Sequence, residues 1–276
     1  MKGTRPVLRY HGGKWLLAPW IISYFPKHRT YTEVFGGGGS VLMRKARAAN
    51  EIYNDKWDTV VNVFKVLRDP FLAAELERVI RLTPFSRTEF DACGEIELGT
   101  IQDPVEKARR TILRSFAGFG SASTNAMHST GFRAHSRRSG TGPSQDWANY
   151  PDQIKFFIER LKGVAIENRH FADVLQQQDD KDTLHYLDPP YVHETRNMRR
   201  GNANYAHEFT DENHRELAAV VHGLKGRVII SGYDCPLYQE LFGDFFKASR
   251  VALADGAGKR VETLWMNYEP SQTSFL

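Results

Sequence analysis

The chain has 276 residues, 41% of them hydrophobic and 25% charged, the balance of a soluble globular protein with enough apolar mass for a large core. Two cysteines, Cys93 and Cys235, exclude a disulfide framework and a four-thiolate zinc site, and ten histidines without HExxH spacing give no other metal signature. No apolar run approaches the ~18 residues of a membrane crossing, and the basic amino terminus lacks a signal peptide's apolar core, so a cytoplasmic protein is expected. The net charge of +4 and a pI of about 9.0 permit a polyanionic partner. Arg133, His135, Arg137 and Arg138 cluster in one stretch and Arg196, Arg199 and Arg200 in another; each reads as a solvated loop or as a grip on nucleic acid.

Residues 31–36 predict a short strand entering a glycine cluster, and 40–49 predict a helix with Ser40 as its N-cap. A second strand at 51–54 ends on Asp55, and a helix follows from about 58 to 67. Strand, glycine turn, helix and strand make a βαβ unit, which argues for a parallel sheet. Between 68 and 161 the pattern changes. Helices fit 71–82 and 104–116, followed by a long structureless run that mixes glycine, serine and arginine with Phe119, Phe132 and Trp147. Such a run contacts nucleic acid or forms a surface excursion. Strand patterns return at 164–168, 183–188, 227–233, 246–253 and 261–268, with helices at 210–223 and 236–242. The expected architecture is α/β: a seven-stranded sheet carried by 1–67 and 162–276, split by a mainly helical insertion at 68–161.

Two motifs carry chemistry. Phe35-Gly36-Gly37-Gly38-Gly39-Ser40 lies between a strand and a helix, where glycines let the backbone turn tightly beside a ligand and the helix N-terminus favours electron-rich groups. Asp55 stands at roughly the separation of a ribose-binding carboxylate. The dinucleotide fingerprint wants a third glycine where Val41 or Leu42 stands, which lowers the case for NAD and leaves another adenosine-containing ligand or a structural turn. Asp188-Pro189-Pro190-Tyr191 directly follows an apolar strand, at the edge where open α/β sheets place their ligands. Prolines remove backbone donors and stiffen the turn, so a carboxylate, exposed carbonyls and one aromatic face can hold a planar group bearing an amine.

With these residues the sequence resembles the Dam-type (D12 class, alpha group) DNA adenine N6-methyltransferases, whose order is cofactor motif, recognition insertion, catalytic motif. The likeness spans nearly the whole chain. It begins at Arg9-Tyr10-His11-Gly12-Gly13-Lys14 and passes through Glu33-Val34-Phe35 and the glycines, Asn54-Asp55 and Asp188-Pro189-Pro190-Tyr191. It closes at Ile230-Ser231-Gly232-Tyr233-Asp234 and Glu262-Thr263-Leu264-Trp265. Val34 stands where the family has proline, a departure expected to alter the strand end slightly.

The resemblance implies a Rossmann-like S-adenosylmethionine-dependent methyltransferase sheet, with S-adenosylmethionine as cofactor. Tyr10 and Lys14 would contact it, Lys14 through its carboxylate; Phe35, Gly37 and Gly39 would line its pocket; Asp55 would bind the ribose hydroxyls; Phe171 and Asp173 would hold its adenine. Asp188, Pro189, Pro190 and Tyr191 would hold the target base, Asp188 also lying close to the cofactor, with Tyr205 and Phe209 beside the base pocket. Arg133, Arg137, Arg138, Arg196, Arg199 and Tyr205 would contact double-stranded DNA, and a monomer, with a weak dimer as the alternative, acting on a flipped adenine is expected, without a metal. Two alternatives stay open: a methyltransferase for RNA or for a protein amide, although amide-methylating relatives carry asparagine in place of Asp188, and a non-catalytic nucleic-acid-binding module.

Overall fold

The computed structural model describes residues 3–10, 12–94, 100–118, 131–135, 142–192, 209–253 and 259–270. In chain order, the first elements are α1 (Ala18–Ile22), β1 (Thr30–Glu33), α2 (Ser40–Arg44), β2 (Asn50–Asn54) and α3 (Asp58–Arg68). Next come α4 (Pro70–Leu82), α5 (Arg87–Ala92), α6 (Pro104–Ala117), α7 (Pro143–Ala148), α8 (Pro151–Leu161), β3 (Val164–Glu167) and α9 (Phe171–Gln177). The last are β4 (Thr183–Leu187), α10 (Asp211–His222), β5 (Arg227–Gly232), α11 (Pro236–Phe242), β6 (Phe246–Leu253) and β7 (Lys259–Met266).

The strands form one seven-stranded sheet in the order β3-β2-β1-β4-β5-β7-β6. β1 pairs parallel with β2 and β4, and β4 with β5, so that Glu33 stands level with Tyr53 on one side and Tyr186 on the other. β7 runs antiparallel to both β5 and β6. Only residues 254–258 separate β6 from β7, too few for the crossover a parallel pair needs. The seven expected strands are all present within a residue or a few of their expected bounds.

The chain divides into two compact units. One comprises Met1–Trp15, Gly37–Met43 and Trp57–Ile166, and is largely helical: α3 packs against α4, α6 and α8, and α6 against α4, α5 and α7. Its helices start at readable signals. Asp69 and Asp103 each accept backbone N–H bonds at the head of a helix whose first residue is proline, as N-caps do. The other unit comprises Leu16–Gly36, Arg44–Lys56 and Glu167–Leu276. Its core includes Val34, Ile52, Leu187, Val228, Ile230 and Trp265 from strands, with Val174, Leu217 and Tyr238 from α9, α10 and α11.

Several local expectations need correction. The first strand ends at Glu33 rather than 36, and α2 stops at Arg44 rather than 49. Glu51 explains the early stop: its Oε1 accepts from Lys45 Nζ at 2.5 Å and from the Ala48 N–H at 3.2 Å, drawing the chain away from helical bonding. Gly39, not Ser40, holds the cap position of α2, because its carbonyl accepts from the Met43 N–H at 2.9 Å and Ser40 lies inside the first turn. The run expected to lack structure contains α7 and is followed at once by α8, each opening on a proline and each buried along one side. Trp147, expected in a nucleic-acid loop, is 4% exposed and donates Nε1–H to the Thr83 carbonyl at 2.8 Å, a core position.

Candidate active site

The corner at the end of β4 follows from the strand itself. All five residues of Thr183–Leu187 are buried, as befits a parallel strand covered on both faces, so the first polar residue after them emerges at its C-terminal edge. That residue is Asp188, half-buried, followed by buried Pro189, half-buried Pro190 and Tyr191, which is 8% exposed. Burial raises the hydroxyl pKa values of Tyr186 and Tyr191, and the neighbouring Asp188 carboxylate adds to the rise in both. The Tyr186 hydroxyl is shared with Ser231 Oγ at 2.8 Å. The Tyr191 hydroxyl donates to Glu262 Oε2 at 2.7 Å, and its ring meets Tyr233 edge-on, centroids 4.6 Å apart at 74°.

The glycine turn follows β1. The Gly36 N–H donates to the Asn54 carbonyl at 2.8 Å, and a Cβ at residue 36 would lie 2.2 Å from the Tyr53 ring. Gly37 and Gly39 take φ of 45° and 61°, the left-handed region where glycine carries no Cβ penalty. The Tyr10 ring lies against Gly37, 2.8 Å from where a Cβ would sit. Lys14 is 4% exposed and donates Nζ–H to the Gly12 carbonyl at 2.7 Å.

Phe35, Phe171 and Phe209 form a triangle of rings, with centroids 5.5 Å apart for Phe35–Phe171 and Phe35–Phe209 and 5.7 Å for Phe171–Phe209. Asp55 is half-buried just beyond β2. Asp173 is exposed in the first turn of α9, 3.9 Å from Arg169. Arg133 donates Nη2–H to the Phe116 carbonyl at 3.0 Å, at the end of α6 where carbonyls favour a cation. His11, Arg137, Arg138, Arg196, Arg199, Arg200 and Tyr205 lie outside the described residues.

Two further groups of residues shape the site and had been given no role. Asn54 ties three strand ends together. Its Nδ2 donates to the Val34 carbonyl at 2.9 Å and the Arg169 carbonyl at 3.2 Å, while its Oδ1 accepts the Arg169 N–H at 2.9 Å. Asn168 donates to the Asp55 carbonyl at 2.8 Å, holding the backbone beside the expected ribose ligand. Both could have been suspected from asparagine at a strand end. On the other side, Glu262 and Tyr233 bracket Tyr191, and nothing in their spacing announces it. Among the described residues, no group of three His, Cys, Asp or Glu could hold a metal, and no helix is long and apolar enough to cross a membrane.

At the end of β4 a carboxylate, a stiff carbonyl-rich turn and a pinned aromatic face stand together. That set suits a planar amine; taken each by itself, the left-handed glycines and the buried Lys14 ammonium suit an electron-rich ligand, and the Asp55 carboxylate suits hydroxyl donors. Residues 10–253 match the family described as D12 class N6 adenine-specific DNA methyltransferase. The chain is 25% identical over 289 residues to the DNA adenine methylase of Escherichia coli K12, covering 99% of each. It is 23% identical over 286 residues to the DNA adenine methylase of Salmonella typhi, covering 98% of this chain and 97% of that one. Similarity also reaches the Modification methylase LlaI of Lactococcus lactis, 20% over 206 residues, covering 74% of this chain and 32% of that protein.

Proposed function

The chain belongs to the D12 class of N6 adenine-specific DNA methyltransferases, and from that premise we propose that Asp188-Pro189-Pro190-Tyr191 activates an adenine flipped out of double-stranded DNA. The observation that carries this is Asp188 directly after the fully buried parallel strand β4, with Tyr191 pinned beside it by Glu262 and Tyr233.

Adenine's exocyclic nitrogen is a poor nucleophile because its lone pair is delocalised into the ring. The Asp188 carboxylate and the Pro189 carbonyl accept its two N–H bonds, which draws the nitrogen toward tetrahedral geometry and returns the lone pair to it. Fixed acceptors of this kind act through positioning and electrostatics, without reorganising as the reaction proceeds. Extruding the base costs a few kcal/mol, and stacking on Tyr191 offsets about 1–3 kcal/mol of it.

S-adenosylmethionine supplies the methyl group as an electrophilic sulfonium substituent. Lys14 would pair with its carboxylate, Asp55 would take the ribose hydroxyls, and Tyr10, Phe35, Gly37 and Gly39 would line its place. Phe171 and Asp173 would hold its adenine. We assign 1–67 and 162–276 to catalysis and 68–161 to target recognition, with Arg133, Arg137, Arg138, Arg196, Arg199 and Tyr205 contacting DNA. The enzyme acts as a cytoplasmic monomer. Phosphate contacts of this kind make affinity fall with salt.

The test is transfer of a tritiated methyl group from S-adenosylmethionine to unmethylated plasmid DNA and to RNA of similar length, with the modified nucleoside identified after digestion. N6-methyldeoxyadenosine from DNA is expected. Label in RNA alone, or none in the adenine fraction, would overturn the reading.

A further inference from the structure

The hydroxyls of Tyr191 and Tyr233 are both engaged by one strand. Glu262 accepts from the Tyr191 hydroxyl at 2.7 Å. Two residues earlier on β7, Arg260 donates Nη1–H to the Tyr233 hydroxyl at 2.9 Å, with its guanidinium carbon 5.8 Å from that ring. A spacing of two places both side chains on the same face of β7. The two rings they hold meet edge-on, 4.6 Å between centroids.

This geometry removes the freedoms a tyrosine ring has. The hydrogen bond at the hydroxyl fixes where the ring points, and the edge contact with Tyr233 fixes its tilt. Burial, together with the charges of Asp188 and Glu262, keeps the Tyr191 hydroxyl protonated, so it acts here as a donor and not as a base. A stacking surface helps a reaction only where its face already lies in the productive plane.

We propose that Glu262 is a positioning residue for methyl transfer, acting through the Tyr191 hydroxyl to fix the face on which the flipped adenine stacks, with Tyr233 as the stop that sets its tilt. This deepens the reading above and rests on its assignment of Tyr191 to the target base.

The experiment is a mutant cycle on the full chain with unmethylated plasmid DNA and tritiated S-adenosylmethionine, reading kcat, the KM for S-adenosylmethionine and the melting temperature. Glu262→Ala is expected to lower kcat about tenfold, the order of loss that releasing one fixed contact brings, with that KM within about twofold of wild type. Glu262→Gln, whose amide oxygen still accepts, recovers most of the loss. Tyr191→Phe falls as far as Glu262→Ala, and the double variant Tyr191→Phe/Glu262→Ala falls no further, because both remove one hydrogen bond. Losses that multiply in the double variant, a Gln variant as impaired as the Ala variant, or an unchanged kcat in Glu262→Ala would each overturn the inference. Tyr191→Ala separates the two levels. Its failure beside a fully active Glu262→Ala sinks the positioning role and spares the stacking role, whereas full activity in Tyr191→Ala sinks both.

Discussion

Asp-Pro occurs three times in this chain, at 69–70, 103–104 and 188–189, and the helical unit and the sheet use it differently. Asp69 accepts from the N–H groups of Phe71 and Leu72 at 2.9 and 3.0 Å, and Asp103 from those of Val105 and Glu106 at 2.8 and 3.5 Å. In both, the carboxylate is committed to the helix it starts, and the proline fills the first position, where a missing N–H costs nothing. At the end of β4 a second proline follows. Pro190 has no N–H, so the bond that Phe71 and Val105 make has no counterpart there, and no helix begins over 189–192. One added proline separates an aspartate that organises its own backbone from one that we assign to a substrate amine.

The largest expected effect tests that division directly. Asp188→Ala should lower kcat about 100- to 1,000-fold, about 3–4 kcal/mol of barrier, while melting temperature and DNA retention hold. A variant with wild-type turnover would erase the distinction between the sheet corner and the helix caps.

The next concerns the strands from which the glycine turn and the proline turn hang. Thr32 Oγ1 on β1 and His185 Nδ1 on β4 lie 2.8 Å apart, with both residues fully buried. Burial lowers the His185 pKa from 6.5 to about 4, against a smaller opposing pull from Asp179. A histidine with a depressed folded-state pKa contributes stability that is complete above the unfolded value and drains as pH falls toward the folded one. Unfolding free energy should therefore drop by up to about 3 kcal/mol between pH 6.5 and 4 from this group. Urea titrations across that range, repeated on His185→Gln, should show a shallower slope in the variant. Equal slopes would mean that His185 is not the seam's titrating member.

A smaller effect sharpens the role of the second proline. Pro190→Ala returns an N–H two residues beyond Asp188 and should draw the carboxylate toward a cap, lowering kcat about tenfold, about 1.4 kcal/mol. Methyl transfer at the wild-type rate would show that Pro190 does not direct Asp188. Smallest of all, Asp103→Ala should cost about 1 kcal/mol of stability by denaturant unfolding and leave kcat untouched. A kcat loss there would mean that the caps and the corner are not independent.

Much of this protein could be read residue by residue because its signals are local. Proline fixes φ, glycine tolerates positive φ, and strand or helix periodicity depends on near neighbours, so the seven strands, the Asp188 corner and the glycine turn were all legible in order. What the sequence could not carry is pairing across distance. Asn54 meets Arg169 across 115 positions and Tyr191 meets Glu262 across 71, and both follow from strand order and register. The same holds for Trp147, which composition placed in a loop and packing placed in a core. Tertiary structure alone decided these points, because a hydrogen bond or a ring contact depends on where two chain segments lie in space, which no local pattern encodes.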